Sequence, residues 1–183
     1  MHDHTKLTQD RIGHLKERLE REITQKICPL QVTAWQVPGE PVSFAEATAA
    51  SYQPFPPGTW WGAPWSTWWL HVTGTLPASH VDEEIDLSMD LGFVGDWAGN
   101  QAEAMVYTPA GRPLKALNPR NHRIGLNHGA LAARFAAQGE PLIGADGDVE
   151  LWVEAAGNPD MTQHLAEPTE LGDRHTAGPA PGW

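Results

Sequence analysis

The sequence predicts a mainly β protein, an antiparallel β-sandwich of the jelly-roll or galactose-binding-like kind with an N-terminal amphipathic helix. Two observations predict it. Several short stretches alternate apolar and polar residues with a period of two, and turn residues separate them. One stretch, residues 8–27, repeats every three or four residues instead. Strands therefore outnumber helices, which favours a sandwich over a helical or α/β architecture.

The helix is read over TQDRIGHLKERLEREITQKI. Ile12, Leu15, Leu19, Ile23 and Ile27 form one apolar stripe. Thr8 is placed to cap its N-terminus, with Asp10 in the first turn, where the helix dipole favours an acid. Glu17 with Arg21 and Glu22 with Lys26 are i,i+4 pairs in the favoured order, each worth about 0.3 kcal/mol. Pro29 ends the pattern. The stripe is narrow, so the helix docks on another surface: a partner domain, a sister subunit, or the protein's own sandwich.

Residues 30–37, LQVTAWQV, alternate and read as a strand. The Ala- and Pro-rich segment 42–59 reads as an irregular crossing loop. Trp60 to Thr75, WWGAPWSTWWLHVTGT, holds five of the nine tryptophans within ten residues. Gly62 and Pro64 make its first half a loop. Its second half alternates, with Trp68, Leu70 and Val72 on one face and Thr67, Trp69, His71 and Thr73 on the other. Two readings of the tryptophans stand. They fill a small β-core, or Trp60, Trp61 or Trp69 forms a platform for the apolar face of a sugar ring.

IDLSMDL (85–91) is a strand with Ile85, Leu87, Met89 and Leu91 inward and Asp86, Ser88 and Asp90 outward. GFVGDWAGN is a glycine-rich turn. Gln101 to Tyr107 and Leu114 to Leu117 form a β-hairpin turning at Gly111. NPRNHRIGLNHG (118–129) is a polar loop, LAARFAAQ (131–138) a short helix, and DVELWVEA (148–155) a last strand with Val149, Leu151 and Val153 inward. The organisation is a helical arm over 1–29, a sandwich over 30–160, and a Pro/Gly-rich linker or truncated tail over 161–183.

Composition bounds the function. The 183 residues make one domain, long enough to bury roughly 70% of its unfolded surface without disulfide or metal. The net charge is −11, with 23 acidic against 12 basic residues, which disfavours nucleic acid and anionic membranes as partners. No stretch approaches the roughly 18 apolar residues of a membrane span. Cys28 is alone and reads as a small semi-buried residue, and the chain holds no Asn-x-Ser/Thr acceptor. The reading is cytoplasmic.

The sequence lacks GxGxxG, Walker, HExxH, GxSxG and CxxC motifs. His2-x-His4 has metal-ligand spacing at the extreme terminus, and His122, His128 and Glu103 have the residue types of a facial triad. Neither is taken as a metal site. Asp86 and Asp90 read as a solvated strand face rather than a glycosidase dyad. Glu103 and Glu154 sit within apolar strands, so each is expected to find a partner, with Arg120 or Arg123 the candidate.

Four stretches taken in order, PWSTWWLHVTGTLP, DLGF, QAEAMVYTPAGRPLKALNPRNHRI and DVELWVEAAGNP, resemble the N-terminal, non-catalytic domain of class II α-mannosidases of glycoside hydrolase family 38, cytosolic or vacuolar type. The resemblance covers roughly Trp60 to Pro159. It implies a β-sandwich ahead of a larger catalytic domain that binds zinc and hydrolyses terminal α-mannosides with retention. The family's zinc motif and nucleophilic aspartate have no counterpart here, so the chain is expected to have no catalytic residue, no metal ligand and no activity alone. Trp65, Trp68, Glu103, Asn118, Arg120, Glu154 and Asn158 occupy the family's motif positions. Glu103, Asn118, Arg120 and Glu154 are expected to form a structural polar network beneath the aromatic strand. The sequence departs from the family pattern over Asn127 to Gly144, read as an insertion. The implied partners are the parent's catalytic domain, a second copy through the helix, and α-mannosides. The alternative is an independent lectin-like carbohydrate-binding module.

Overall fold

The structure is a computed structural model that describes residues 4–80, 82–93 and 101–158. The expected tail over 161–183, most of the glycine-rich turn and His2 lie outside these residues. In chain order the elements are α1 (Thr5–Ile23), β1 (Gln31–Gln36), α2 (Phe44–Thr48), β2 (Gln53–Pro54), β3 (Ser66–Thr75), β4 (Asp86–Ser88), β5 (Ala102–Tyr107), β6 (Pro113–Leu117), β7 (Arg123–Gly125), α3 (Gly129–Ala137) and β8 (Asp148–Gly157). A six-stranded sheet runs β2-β1-β3-β8-β5-β6, and β4 pairs with β7 in a second, two-stranded sheet. All named pairings are antiparallel.

The main core lies between the two sheets. The large sheet contributes Val32, Ala34, Leu70, Val72, Val106, Leu151 and Val153; the small one and its flanks contribute Ile85, Leu87, Met89, Leu91 and Ile124. This is the period-two pattern at work, since alternate side chains of a strand share a face. The central pair is β3 with β8, matched over ten residues from Ser66↔Gly157 to Thr75↔Asp148.

The other face of the large sheet is also covered. Trp69 and Trp152 form a second cluster with Val37 and Ala47, joined by Trp35, Phe44, Tyr52 and Tyr107. The expected loop over 42–59 is therefore only partly irregular. It holds α2, which roofs this cluster through Phe44 and Ala47, and β2 at the sheet edge. A capping box sets α2: the Ser43 hydroxyl accepts from Glu46 N–H, and the Glu46 carboxylate accepts from Ser43 N–H at 3.0 Å.

Two further boundaries differ from the sequence reading. The helix starts at Thr5 and stops at Ile23, with His4 rather than Thr8 at its N-cap. It stops early because Thr24 is extended and because Ile27 leaves the stripe to pack, with Leu30, on the main core. The polar stretch 118–129 contains β7, whose Ile124 is fully buried opposite Leu87. The insertion after it carries α3, held by Phe135 between the guanidinium groups of Arg112 and Arg134, each 4.9 Å from the ring centre.

Candidate functional site

The tryptophan loop connects β2 to β3 at the end of the sheet where β8 finishes. Gly62 takes φ +76° and Trp65 φ +62°. Trp65 N–H donates to Gly157 O at 2.7 Å, and Ser66 N–H donates to Ala63 O at 3.0 Å. The approach is so close that a Cβ on Gly157 would meet Ala63 O at 2.6 Å. Two backbones thus lock the loop onto the last residues of β8.

This loop sorts the tryptophans. Trp60 and Trp65 are 64% and 69% exposed, while Trp61 and Trp69 are 6% and 1% exposed. Trp61 donates its indole N–H to Leu91 O at 3.0 Å inside the main core. Trp69 lies on the opposite face of the sheet, against Phe44 and Tyr107 with ring centres 5.8 and 5.4 Å away. Of the three rings offered as alternatives for a sugar platform, Trp60 faces solvent and Trp61 and Trp69 are buried. The exposed partner that sequence reasoning missed is Trp65. Its signal was available: it is the last residue before the alternating strand and follows Pro64, so it belongs to the loop.

The expected polar network is also dispersed. Asn118 and Arg120 do meet: Arg120 N–H donates to Asn118 Oδ1 at 3.0 Å, in a turn that Asn121 ties to Ala116 O at 2.9 Å. Glu154 takes its hydrogen bond from Tyr107 Oη at 2.9 Å, instead of the arginine expected for it. Glu103 is exposed and has no partner among the described residues. The reason is parity. Glu103, Met105 and Tyr107 alternate onto the outer face of β5, and Glu154 opposes Met105 there, so only the Tyr107 end of that row reaches the aromatic cluster. Burial first, then the Glu154 carboxylate, pushes the Tyr107 hydroxyl up to about 12, and burial alone pushes Tyr52 to about 12.

At the other end of that face His71 stacks on Trp152, with ring centres 4.0 Å apart and planes within 10°, and its Nε2 lies 2.8 Å from Glu150 Oε1. Beneath the segment after α1, a groove of about 840 Å³ is bordered by Cys28, Arg123 and the His128–Asp86 pair, whose atoms are 3.0 Å apart. His122 Nδ1 lies 2.8 Å from Pro119 O, remote in role from His128. Among the described residues no three His, Cys, Asp or Glu side chains come together in a way that could hold a metal ion.

Comparison with known proteins adds the family. A model described as alpha-mannosidase, jelly roll domain, matches residues 28–176, which leaves α1 outside it. A search of curated proteins finds no match. A two-sheet antiparallel sandwich filled by the residues above is what such a domain requires. The chain belongs to the alpha-mannosidase jelly roll domain family.

Proposed function

We propose that this chain is the accessory, non-catalytic domain of a cytoplasmic retaining α-mannosidase of glycoside hydrolase family 38. The observation that carries the reading is the family match over residues 28–176. Packing supports an assembly role: among the described residues, both faces of the central β3–β8 pair are filled by the domain's own side chains. The catalytic module of the same parent protein supplies hydrolysis and binds the zinc, for which the described residues of this chain offer no ligand set. The Trp60–Trp65 loop, locked to the end of β8, is the surface on which that module seats.

The test is binding of the full chain to the separately produced catalytic module, together with turnover of p-nitrophenyl α-mannoside. The chain alone should release no product. Trp60→Ala with Trp65→Ala should weaken the complex on the order of 100-fold, as expected for loss of two exposed aromatic anchors. Two exposed indoles also suit a sugar, so tryptophan fluorescence is titrated with mannose and α-linked mannobiose. A saturable change abolished by Trp60→Ala would replace the accessory reading with a carbohydrate-binding module.

A further inference from the structure

We propose that the segment between Pro159 and Pro168 adds a third strand to the small sheet, along the free edge of β4. The register of β4 on β7 decides which edge is free. Leu126 N–H donates to Ile85 O at 2.8 Å and Met89 N–H donates to His122 O at 2.9 Å, with Leu87 opposite Ile124 between them. Ile85, Leu87 and Met89 therefore turn their backbone groups toward β7, and Asp86 and Ser88 turn theirs the other way. Among the described residues no backbone group meets them there, and β4 has no second neighbour. Such a row of unpaired N–H and C=O groups is a template for another strand.

There is room for one. The groove of about 840 Å³ is bordered by two unbroken runs of chain, residues 83–88 and residues 22–28. The small sheet is also the poorer cover, with two strands against six.

The place where the described residues end names the occupant. Asn158 N–H donates to Gln101 O at 2.7 Å, and the Gln101 side-chain amide donates to Gly92 O at 3.3 Å. Residue 159 therefore starts beside the stretch that follows β4, and a chain returning from there runs antiparallel to β4, like every other pairing in the sandwich. Between Pro159 and Pro168 stands DMTQHLAE, with neither proline nor glycine. Extended, it reaches ~26 Å, and the path from Gly92 back to Asp86 needs ~23 Å. Proline cannot donate to a ladder, so the two prolines mark its ends. Its middle, MTQHLA, carries no acid, which suits an edge bordered by Glu83, Glu84 and Asp86. A tethered strand also binds at high effective concentration. The family match runs to residue 176, so the jelly roll domain includes this segment. The proposal uses that extent alone and does not rest on the accessory role proposed above.

Amide exchange of the full chain tests the edge. The Asp86 and Ser88 amides should exchange on the order of 100-fold slower than free amides. Thr162→Pro with Gln163→Pro removes one donor of either parity and should abolish that protection, while Leu87, bonded to β7, keeps its own. Ala177→Pro, beyond the segment, should change nothing. Single cysteines at 161–166 read the neighbour directly, since native Cys28 borders the groove. Under mild oxidation one position should join Cys28 within the same chain and outpace both its neighbours, because adjacent side chains of a strand point to opposite faces. Free exchange at Asp86 and Ser88, protection that survives the double proline variant, or no cross-link within the chain would each overturn the proposal. Cross-links between chains would also overturn it, by giving the strand to a second copy.

Discussion

Trp65 holds a left-handed backbone angle that bulky L-residues avoid, at a cost of roughly 1–2 kcal/mol. Its ring does not repay that cost within the domain, because it is more than two-thirds exposed. Strain kept beside an exposed aromatic ring fits the docking role proposed for this loop. Trp65→Gly should therefore raise the urea midpoint of the isolated chain, by about 1 kcal/mol of stability, while weakening the complex proposed for it with a catalytic module. Trp65→Ala keeps the strain and should weaken the complex without the gain. A drop in stability on Trp65→Gly would mean that the ring packs within the domain after all. Gly157 is the converse case. A Cβ there meets the backbone of Gly62 and Ala63 at 2.6–2.8 Å, where no side chain can rotate away. Gly157→Ala should cost about 2 kcal/mol in denaturant unfolding, whereas Gly13→Ala, with nothing within 4 Å of its Cβ, should leave the sandwich unaffected.

Elements whose pattern is decided by burial on one face were legible. β3, β5 and β8 alternate in sequence, and their inward residues are the ones the main core buries. The β5–β6 hairpin turns where Gly111, at φ +76°, permits it. What was not legible depends on contacts distant in sequence. β7 has three residues and no periodicity of its own; it exists because Ile124 fills the space opposite Leu87. α2 is five residues within a proline-rich segment, and its capping box at Ser43 and Glu46 was the signal to find. The early end of α1 follows from Ile27, which satisfies the helical repeat in sequence but gains more by packing on the sandwich. The candidate site shows the same divide. Breaker residues indicated a loop at 60–64, but which indoles face water depends on sheet parity and on the roof supplied by α2. That is why the sequence offers Trp61 and Trp69 beside Trp60, and why Glu103, expected to find a partner, finds none among the described residues.

At the scale of the molecule, the large sheet is covered twice, by the small sheet on one side and by the aromatic cluster under α2 on the other. The second cover decides between a scaffold and a sugar-binding face, and it can be measured because both tyrosines of the chain, Tyr52 and Tyr107, lie in it. Burial raises both hydroxyls to about 12 from an ordinary value near 10. A tyrosine whose pKa is higher folded than unfolded binds its proton more tightly in the native state. Its contribution to stability is therefore complete below pH 10 and is lost as pH rises through 12. Absorbance at the tyrosinate band should stay flat in the native chain past the pH at which the urea-unfolded chain has half ionised, and unfolding should set in between those two values. Phe44→Ala removes the ring that α2 places against Trp69, Tyr107 and Trp152. It should bring the Tyr107 transition down toward the ordinary value while the main core, on the other side of the sheet, stays folded. If both native tyrosines ionise like unfolded ones, α2 does not close the cluster. The aromatic face around Trp69 and Trp152 would then be open to ligand, and the scaffold reading would lose its structural support.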